Sequence, residues 1–212
     1  MRIPNHIGVI PDGNRRFAVS HGMTKDKGYN LGITPGLLLF KQCEKLGIKE
    51  ITFYGFTTDN TKRPSYQKEA FIDACIKSVK LITKENAEIL VIGNTNSPCF
   101  PQELLEFTTP KKFGTGKTRV NFLINYGWEW DLNMIEGRQT RKSLMSNIHS
   151  NNISRIDLII RWGGRRRLSG FLPIQSVYSD FYIIDDLWPD YKPEHLENAL
   201  EWYNTQDITL GG

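Results

Sequence analysis

Six runs rich in β-branched and aromatic residues recur along the chain, at residues 6–10, 50–56, 88–92, 119–125, 156–160 and 181–184. Segments with helical periodicity separate most of them. Apolar runs this short fit strands buried on both faces. Strands that alternate with helices pair in parallel, because a crossover helix returns the chain to the same edge. The pattern therefore predicts an α/β fold: one domain over residues 1–212, a mostly parallel six-stranded sheet flanked by helices.

The helical segments carry their own punctuation. Thr34 followed by Pro35 reads as an N-cap and a first-turn proline, and Gly47 closes that helix after Lys45 and Leu46. A second helix starts at Pro64 and runs to about Asn86. Phe71, Ala74, Cys75, Ser78 and Ile82 form one apolar stripe on it, and Ile72, Ile76 and Val79 another. A stripe this wide predicts a helix that sits deep or lines an apolar channel. A third helix starts at Pro193, with Leu196, Ala199, Leu200 and Tyr203 at core spacing.

The 39% hydrophobic and 24% charged residues exclude a disordered or fibrous chain. Cys43, Cys75 and Cys99 are odd in number, far apart and free of Cys-x-x-Cys spacing, which speaks against disulfides or a zinc knuckle and for the reducing cytoplasm. No apolar run approaches the roughly 20 residues that span a bilayer. The expectation is a cytoplasmic protein with at most peripheral membrane contact. His6, His21, His149 and His195 show no metal-ligand spacing.

Charge is unevenly placed. Lys and Arg number 27 against 23 Asp and Glu, a net +4. Yet Arg161, Arg165, Arg166 and Arg167 cluster together, Arg15 and Arg16 form a second knot, and residues 180–207 hold eight carboxylates. Compact knots flanked by glycine suit a small anionic group better than a nucleic acid backbone, which wants a stripe of charge.

In an open parallel sheet, ligands bind beyond the carboxyl ends of the strands. Both Arg knots fall on that edge. After the first strand come Asp12, Gly13, Asn14, Arg15 and Arg16, where Gly13 lets the backbone approach an anion and the next residues open a helix. Two readings stay open for Asp12: a carboxylate holding Mg²⁺ against phosphate oxygens, or a helix cap beside solvated arginines. At the fifth strand's end, Arg161, two glycines, Arg167 and Ser169 would form a second anion pocket, the alternative being a solvated Arg cluster. Gly114-Thr115-Gly116-Lys117-Thr118 imitates a phosphate-binding loop, but the pattern needs glycine at Lys111, and a strand rather than a helix follows. It reads as a basic surface turn.

With these loops set in order, HIGVIPDGNRRFA, FYGFTTDNTKRP, NYGWEWD, DLIIRWGGRRRLSGFLPIQSVYSDFYIIDDLWPD and the terminal GG, the chain resembles the cis-prenyltransferases, the undecaprenyl diphosphate synthase family, over nearly its whole length. The resemblance implies a homodimeric fold with an apolar tunnel. It also implies Mg²⁺-dependent condensation of isopentenyl diphosphate with an allylic diphosphate, releasing pyrophosphate. By matching position it implies Asp12 as metal ligand and catalytic carboxylate, and Asn60 at the proton-abstraction step. Gly13, Asn14, Arg15, Arg16, Phe17, Lys25, Tyr29 and Arg63 fall to the allylic diphosphate, and Arg161, Arg167 and Ser169 to isopentenyl diphosphate. The resemblance also implies Asp180 as the second metal carboxylate, contributed across the dimer.

The chain departs from the family pattern at several of these places. Arg15 stands where glycine is usual, Phe17 for tryptophan, Lys25 for arginine, Tyr29 for histidine, Trp162 for threonine, Arg165 for glutamate and Asp180 for glutamate, while residues 209–211 lack the arginine of the terminal Arg-x-Gly. The chain is also short between Trp130 and Ile156. These departures imply a short product. They keep two alternatives in view: irregular coupling or terpene-synthase-like ionisation on the same fold, and a partner subunit of a heteromeric enzyme.

Overall fold

The computed structural model describes residues 2–207; the terminal glycines and residues 209–211 of the resemblance lie outside them. Among the described residues seven strands form one sheet: β1 (His6–Ile10), β2 (Glu50–Tyr54), β3 (Ala87–Ile92), β4 (Lys111–Lys112), β5 (Thr118–Leu123), β6 (Leu158–Arg161) and β7 (Asp180–Ile183). Their order is β4-β3-β5-β2-β1-β6-β7. Every neighbouring pair is parallel except β3 with β4. Six strands occupy the six apolar runs. The seventh, β4, corrects the expected count: it is two lysines on the sheet edge, with no apolar signal, and charged residues there discourage pairing with other chains.

The helices are α1 (Asn14–Ser20), α2 (Lys27–Leu31), α3 (Ile33–Leu46), α4 (Ser65–Ile82), α5 (Trp128–Leu132), α6 (Arg141–Ser146) and α7 (Pro193–Asn204). In α3 the N-cap is Gly32 rather than Thr34, and Gly47 ends the helix at φ +79°, a left-handed cap glycine adopts freely. Ile82 ends α4 short of Asn86, where Thr83 and Lys84 tighten into the turn before β3. Among the described residues no helix is long and apolar enough to cross a membrane.

Alternate strand residues serve two cores. Ile7, Val9, Ile51, Phe53, Ile89, Val91, Val120, Phe122, Leu158 and Ile160 pack with Leu39, Phe40, Cys43, Val79, Leu196 and Leu200 of α3, α4 and α7. On the other face Ile10, Leu90, Ile92, Leu123 and Ile159 meet Tyr126, Ile153, Ile156, Phe171 and Leu172, so irregular chain covers much of it. Burying one such side chain contributes about 1.5–3 kcal/mol. Truncating Phe40, which is fully buried, to alanine would cost about 3–5 kcal/mol. The register sets Ile10 beside Arg161, and this brings the two Arg-bearing loops together at one sheet edge.

Candidate active site

The first loop turns at Gly13. Its φ is +118°, and a Cβ there would meet Leu187 at 2.9 Å, so glycine is required twice over. Gly13 is itself the N-cap of α1, and no side chain caps that helix. Asp12 therefore does not serve as a helix cap. Its Oδ2 instead accepts a hydrogen bond from Arg161 Nη2 at 2.7 Å, and its Oδ1 lies 3.5 Å from Arg16 Nη2.

Arg161 ends β6 with its side chain only 4% exposed. A guanidinium so placed needs partners. Besides Asp12 it donates from Nη1 to Ser169 Oγ at 3.0 Å and to the Arg167 carbonyl, while its Nε is buried without a partner. Tyr54 Oη donates to the Ser169 carbonyl at 2.8 Å, holding the same loop from β2. Arg16 Nη2 donates to the Gly163 carbonyl at 2.8 Å and so bridges the two loops. Charge-assisted bonds of this kind each contribute on the order of 1.5–3 kcal/mol.

The 58–62 turn supplies the third side. Asn60 closes it, its Oδ1 accepting the Thr57 N–H at 3.0 Å. Arg63 follows and donates from Nη1 to Tyr29 Oη at 2.8 Å. Tyr29 stacks flat on Phe71, ring centroids 4.4 Å apart. Burial raises the Tyr29 phenol above its ordinary value although Arg63 and Arg15 pull the other way, so its hydroxyl stays protonated. Burial also lowers the Arg63 guanidinium. Tyr126, in the NYGWEWD motif that follows β5, anchors this turn: its carbonyl accepts the Thr58 N–H at 2.9 Å, and its hydroxyl donates to buried Asp131 at 2.8 Å.

These loops enclose a basin of about 830 Å³. Asp12, Gly13, Asn14, Arg15, Arg16, Lys25, Tyr29, Asn60, Arg63, Arg161, Arg167 and Ser169 all line it, as do Arg165 and Asp59, so seven cationic side chains face two carboxylates. Next to it lies an apolar cavity of about 80 Å³, lined by Phe71, Ala74, Cys75, Ser78 and Ile82 from α4, together with Ile33, Leu37 and Trp188. The broad stripe of α4 is thus a cavity wall. Pro11, Asn14, Tyr29, Tyr54, Gly55 and Phe71 line both spaces.

Two expected residues stand apart. Phe17 stacks on His21 at 4.0 Å and lines neither space; Val19 and Ser20 line the basin from α1 instead. Asp180 pairs with Leu158 at the amino end of β7, three residues before the level of Arg161, roughly 10 Å along the strand. It lies 3.9 Å from Arg2, and within one chain it is not a companion of Asp12. Burial raises its carboxyl. The glycine-lysine turn at 114–118 leads into β5, as a surface turn should.

Among the described residues no group of three His, Cys, Asp or Glu side chains could hold a metal ion. Of the two basin carboxylates Asp59 is taken up by Lys62 at 2.9 Å, and one carboxylate is enough for Mg²⁺, which is commonly held by one or two carboxylates plus substrate phosphate oxygens and water. Asp12 Oδ1, which accepts no hydrogen bond shorter than its 3.5 Å approach to Arg16, is the donor that fits.

A mostly parallel α/β sheet with a cationic basin and an apolar cavity sharing one wall places this chain in the class of α/β proteins with a polar cleft backed by an apolar pocket at the sheet edge. The comparisons agree with that class and narrow it. Residues 10–211 match the prenyltransferase family model described for undecaprenyl diphosphate synthase. The chain is 30% identical over 229 residues to the ditrans,polycis-undecaprenyl-diphosphate synthase ((2E,6E)-farnesyl-diphosphate specific) of Aliivibrio fischeri, covering 99% of this chain and 89% of that protein. It is 30% identical over 230 residues to an isoprenyl transferase of Leptospira interrogans, covering 99% and 95%. Among solved structures, lavandulyl diphosphate synthase from Lavandula x intermedia, in complex with dimethylallyl diphosphate, superposes with a TM-score of 0.83 at 22% identity over 99% of this chain and 98% of that one. The chain belongs to the undecaprenyl diphosphate synthase family of prenyltransferases.

Proposed function

We propose that the protein is an Mg²⁺-dependent isoprenyl diphosphate synthase of the cis-prenyltransferase type, condensing a short allylic diphosphate with isopentenyl diphosphate and releasing pyrophosphate. One observation carries this: a basin with seven cationic side chains adjoins an apolar cavity of about 80 Å³ across the Tyr29, Tyr54 and Phe71 wall. The heads of two diphosphates suit the first space and a hydrocarbon tail the second. A cavity of roughly 150 Å³ takes benzene, so this one takes no more than about one five-carbon tail.

In this scheme Gly13, Asn14, Arg15, Arg16, Lys25, Tyr29 and Arg63 bind the allylic diphosphate, and Arg161, Arg167 and Ser169 the isopentenyl diphosphate. Asp12 would hold Mg²⁺, which when bound would neutralise charge on the departing pyrophosphate. The guanidinium groups are already oriented by Asp12, Ser169 and Gly163, so they stabilise that charge with little reorganisation. The acceptor's double bond is held against the allylic carbon as its C–O bond breaks. The new carbon–carbon bond forms as that bond breaks, and the proton the acceptor then loses, on the Asn60 side, passes to the released pyrophosphate. Phe17 reaches the first carbons of the donor only by leaving His21. Asp180 completes the metal site from the partner chain of a homodimer. The free thiols Cys43, Cys75 and Cys99 fit the cytoplasm.

Mass analysis of products from defined substrate pairs tests this. A ten-carbon diphosphate from dimethylallyl and isopentenyl diphosphates, dependent on both and on Mg²⁺, is the expected result. A second scheme, irregular coupling of two allylic diphosphates, is favoured by one observation: the Asn60 oxygen is already engaged by Thr57 N–H, which weakens it as a proton acceptor. Product formed from allylic diphosphate alone would select that scheme and sink the first.

A further inference from the structure

His195, in the first turn of α7, is buried and lies outside the basin, yet its ring bonds Trp162, the residue just before the Gly163–Gly164 turn. Its Nδ1 accepts two N–H groups, Trp162 Nε1 at 3.2 Å and the Lys192 backbone at 3.2 Å. Two donors on one nitrogen leave Nδ1 unprotonated, so the ring proton sits on Nε2. That Nε2–H faces Asp186 Oδ2 at 2.9 Å.

Asp186 carries the link onward. Its carbonyl accepts the Gly163 N–H at 2.8 Å, the Ile184 carbonyl accepts the Gly164 N–H at 3.0 Å, and the Trp188 N–H donates to the Asp12 carbonyl at 3.0 Å. Residues 184–188 therefore grip the turn after Arg161 and the Asp12 loop together. Trp162 is fully buried edge-on to Trp188, with ring centroids 4.7 Å apart, so its indole N–H has a fixed direction. Gly163 is buried at φ +84°, where a Cβ would collide with Arg16 Nη2 and lie 3.1 Å from the Asp12 carbonyl, so its N–H bond to Asp186 fixes a turn packed directly against both.

We propose that His195 is a positioning residue: through Asp186 it sets the Gly163–Gly164 turn that follows Arg161 and whose carbonyl holds Arg16, and hence the affinity of the basin for diphosphate. The diphosphate part rests on the function proposed above; the positional part does not. The ordinary role for His195 is to complete the α7 cap through Nδ1 and Lys192 N–H. The two roles use opposite ring nitrogens. Asp186 is half-exposed and touches only the Nε2 side, so its substitution separates them.

The test compares the full-length wild type with Asp186→Ala and Asp186→Asn, measuring amide hydrogen exchange at Gly163 and Gly164 and binding of inorganic pyrophosphate by calorimetry. Asp186→Ala should speed exchange at both glycines and weaken pyrophosphate binding, each by about tenfold, while leaving exchange in α7 unchanged. Asp186→Asn keeps an oxygen acceptor for Nε2–H and should stay within about twofold of wild type. His195→Phe should reproduce the glycine effect and loosen α7 as well. Unaltered exchange at Gly163 and Gly164 in Asp186→Ala overturns the proposal. A wild type that binds no pyrophosphate overturns the proposed function instead, with the exchange result still deciding the role of His195.

Discussion

Arg161 Nη2 lies 2.7 Å from Asp12 Oδ2, joining residues 149 positions apart in the chain. The pair sits where β1 and β6 end side by side, and it is unequal: Arg161 is buried, while Asp12 keeps a face toward the basin. The carboxylate thus has two duties, compensating a buried cation and offering an oxygen to the basin. Substitutions at Asp12 should separate them.

Asp12→Asn keeps an acceptor for Arg161 but loses the negative charge, so it should fold normally and lose at least about a hundredfold in turnover. Asp12→Ala strands the Arg161 guanidinium and should add a stability loss of about 3 kcal/mol. Urea unfolding beside a pyrophosphate-release assay reads both. Turnover of Asp12→Asn close to wild type would refute the carboxylate's role.

The wall between basin and cavity sets the second prediction. Phe71 stacks on Tyr29 and meets Phe56 edge-on at 5.5 Å, so its ring closes the side of the cavity. Phe71→Ala should raise kcat/KM for a ten-carbon allylic diphosphate by about tenfold relative to the five-carbon one, the gain from burying about two of the five added carbons at about 0.8 kcal/mol each. The substrate preference of purified wild type and variant decides; identical ratios would move the limit on tail length elsewhere.

Asp180 bears on assembly. If it serves the partner's basin in a twofold dimer, Asp12→Asn and Asp180→Asn variants are each inactive alone. Mixed after dissociation and reassociation, half the dimers are hybrids with one intact site, so about a quarter of wild-type activity should return. No recovery, in a preparation where hybrids are shown to form, would place Asp180 in a purely structural role beside Arg2.

How much of this was legible in the chain follows from the range of the interactions. The bounds of β1 are readable because Asn5 and the Pro11-Asp12-Gly13 turn bracket a five-residue apolar run. The cavity wall is readable because a helix repeats its face every 3.6 residues, and Phe71 to Ile82 share one. β4 is not, since two lysines on an edge carry no pattern. Neither is the separation of Asp180 from Asp12, which depends on the β6–β7 register, nor the turn of Phe17 toward His21. Trp162 and His195 meet across 33 positions, and nothing local in either segment announces it.

The last prediction concerns acid. His6, in β1 at the sheet end away from the basin, is buried with Nε2 2.8 Å from Thr52 Oγ1 and Nδ1 3.1 Å from the Ser154 carbonyl. Burial lowers its pKa below the usual 6.5, although Glu50 nearby opposes this. The folded chain therefore keeps His6 neutral at a pH where the unfolded chain already binds the proton. The unfolded state then takes up more protons, so His6 contributes stability that is full above the unfolded pKa of about 6.5 and declines as pH falls from there toward the folded value. The slope from this one group is at most about 1.4 kcal/mol per pH unit. Urea unfolding at pH 7.5, 6.5 and 5.5 should show His6→Gln less stable than wild type at pH 7.5 but with a shallower acid decline. Parallel declines in the two proteins would mean that the acid sensitivity comes from other groups.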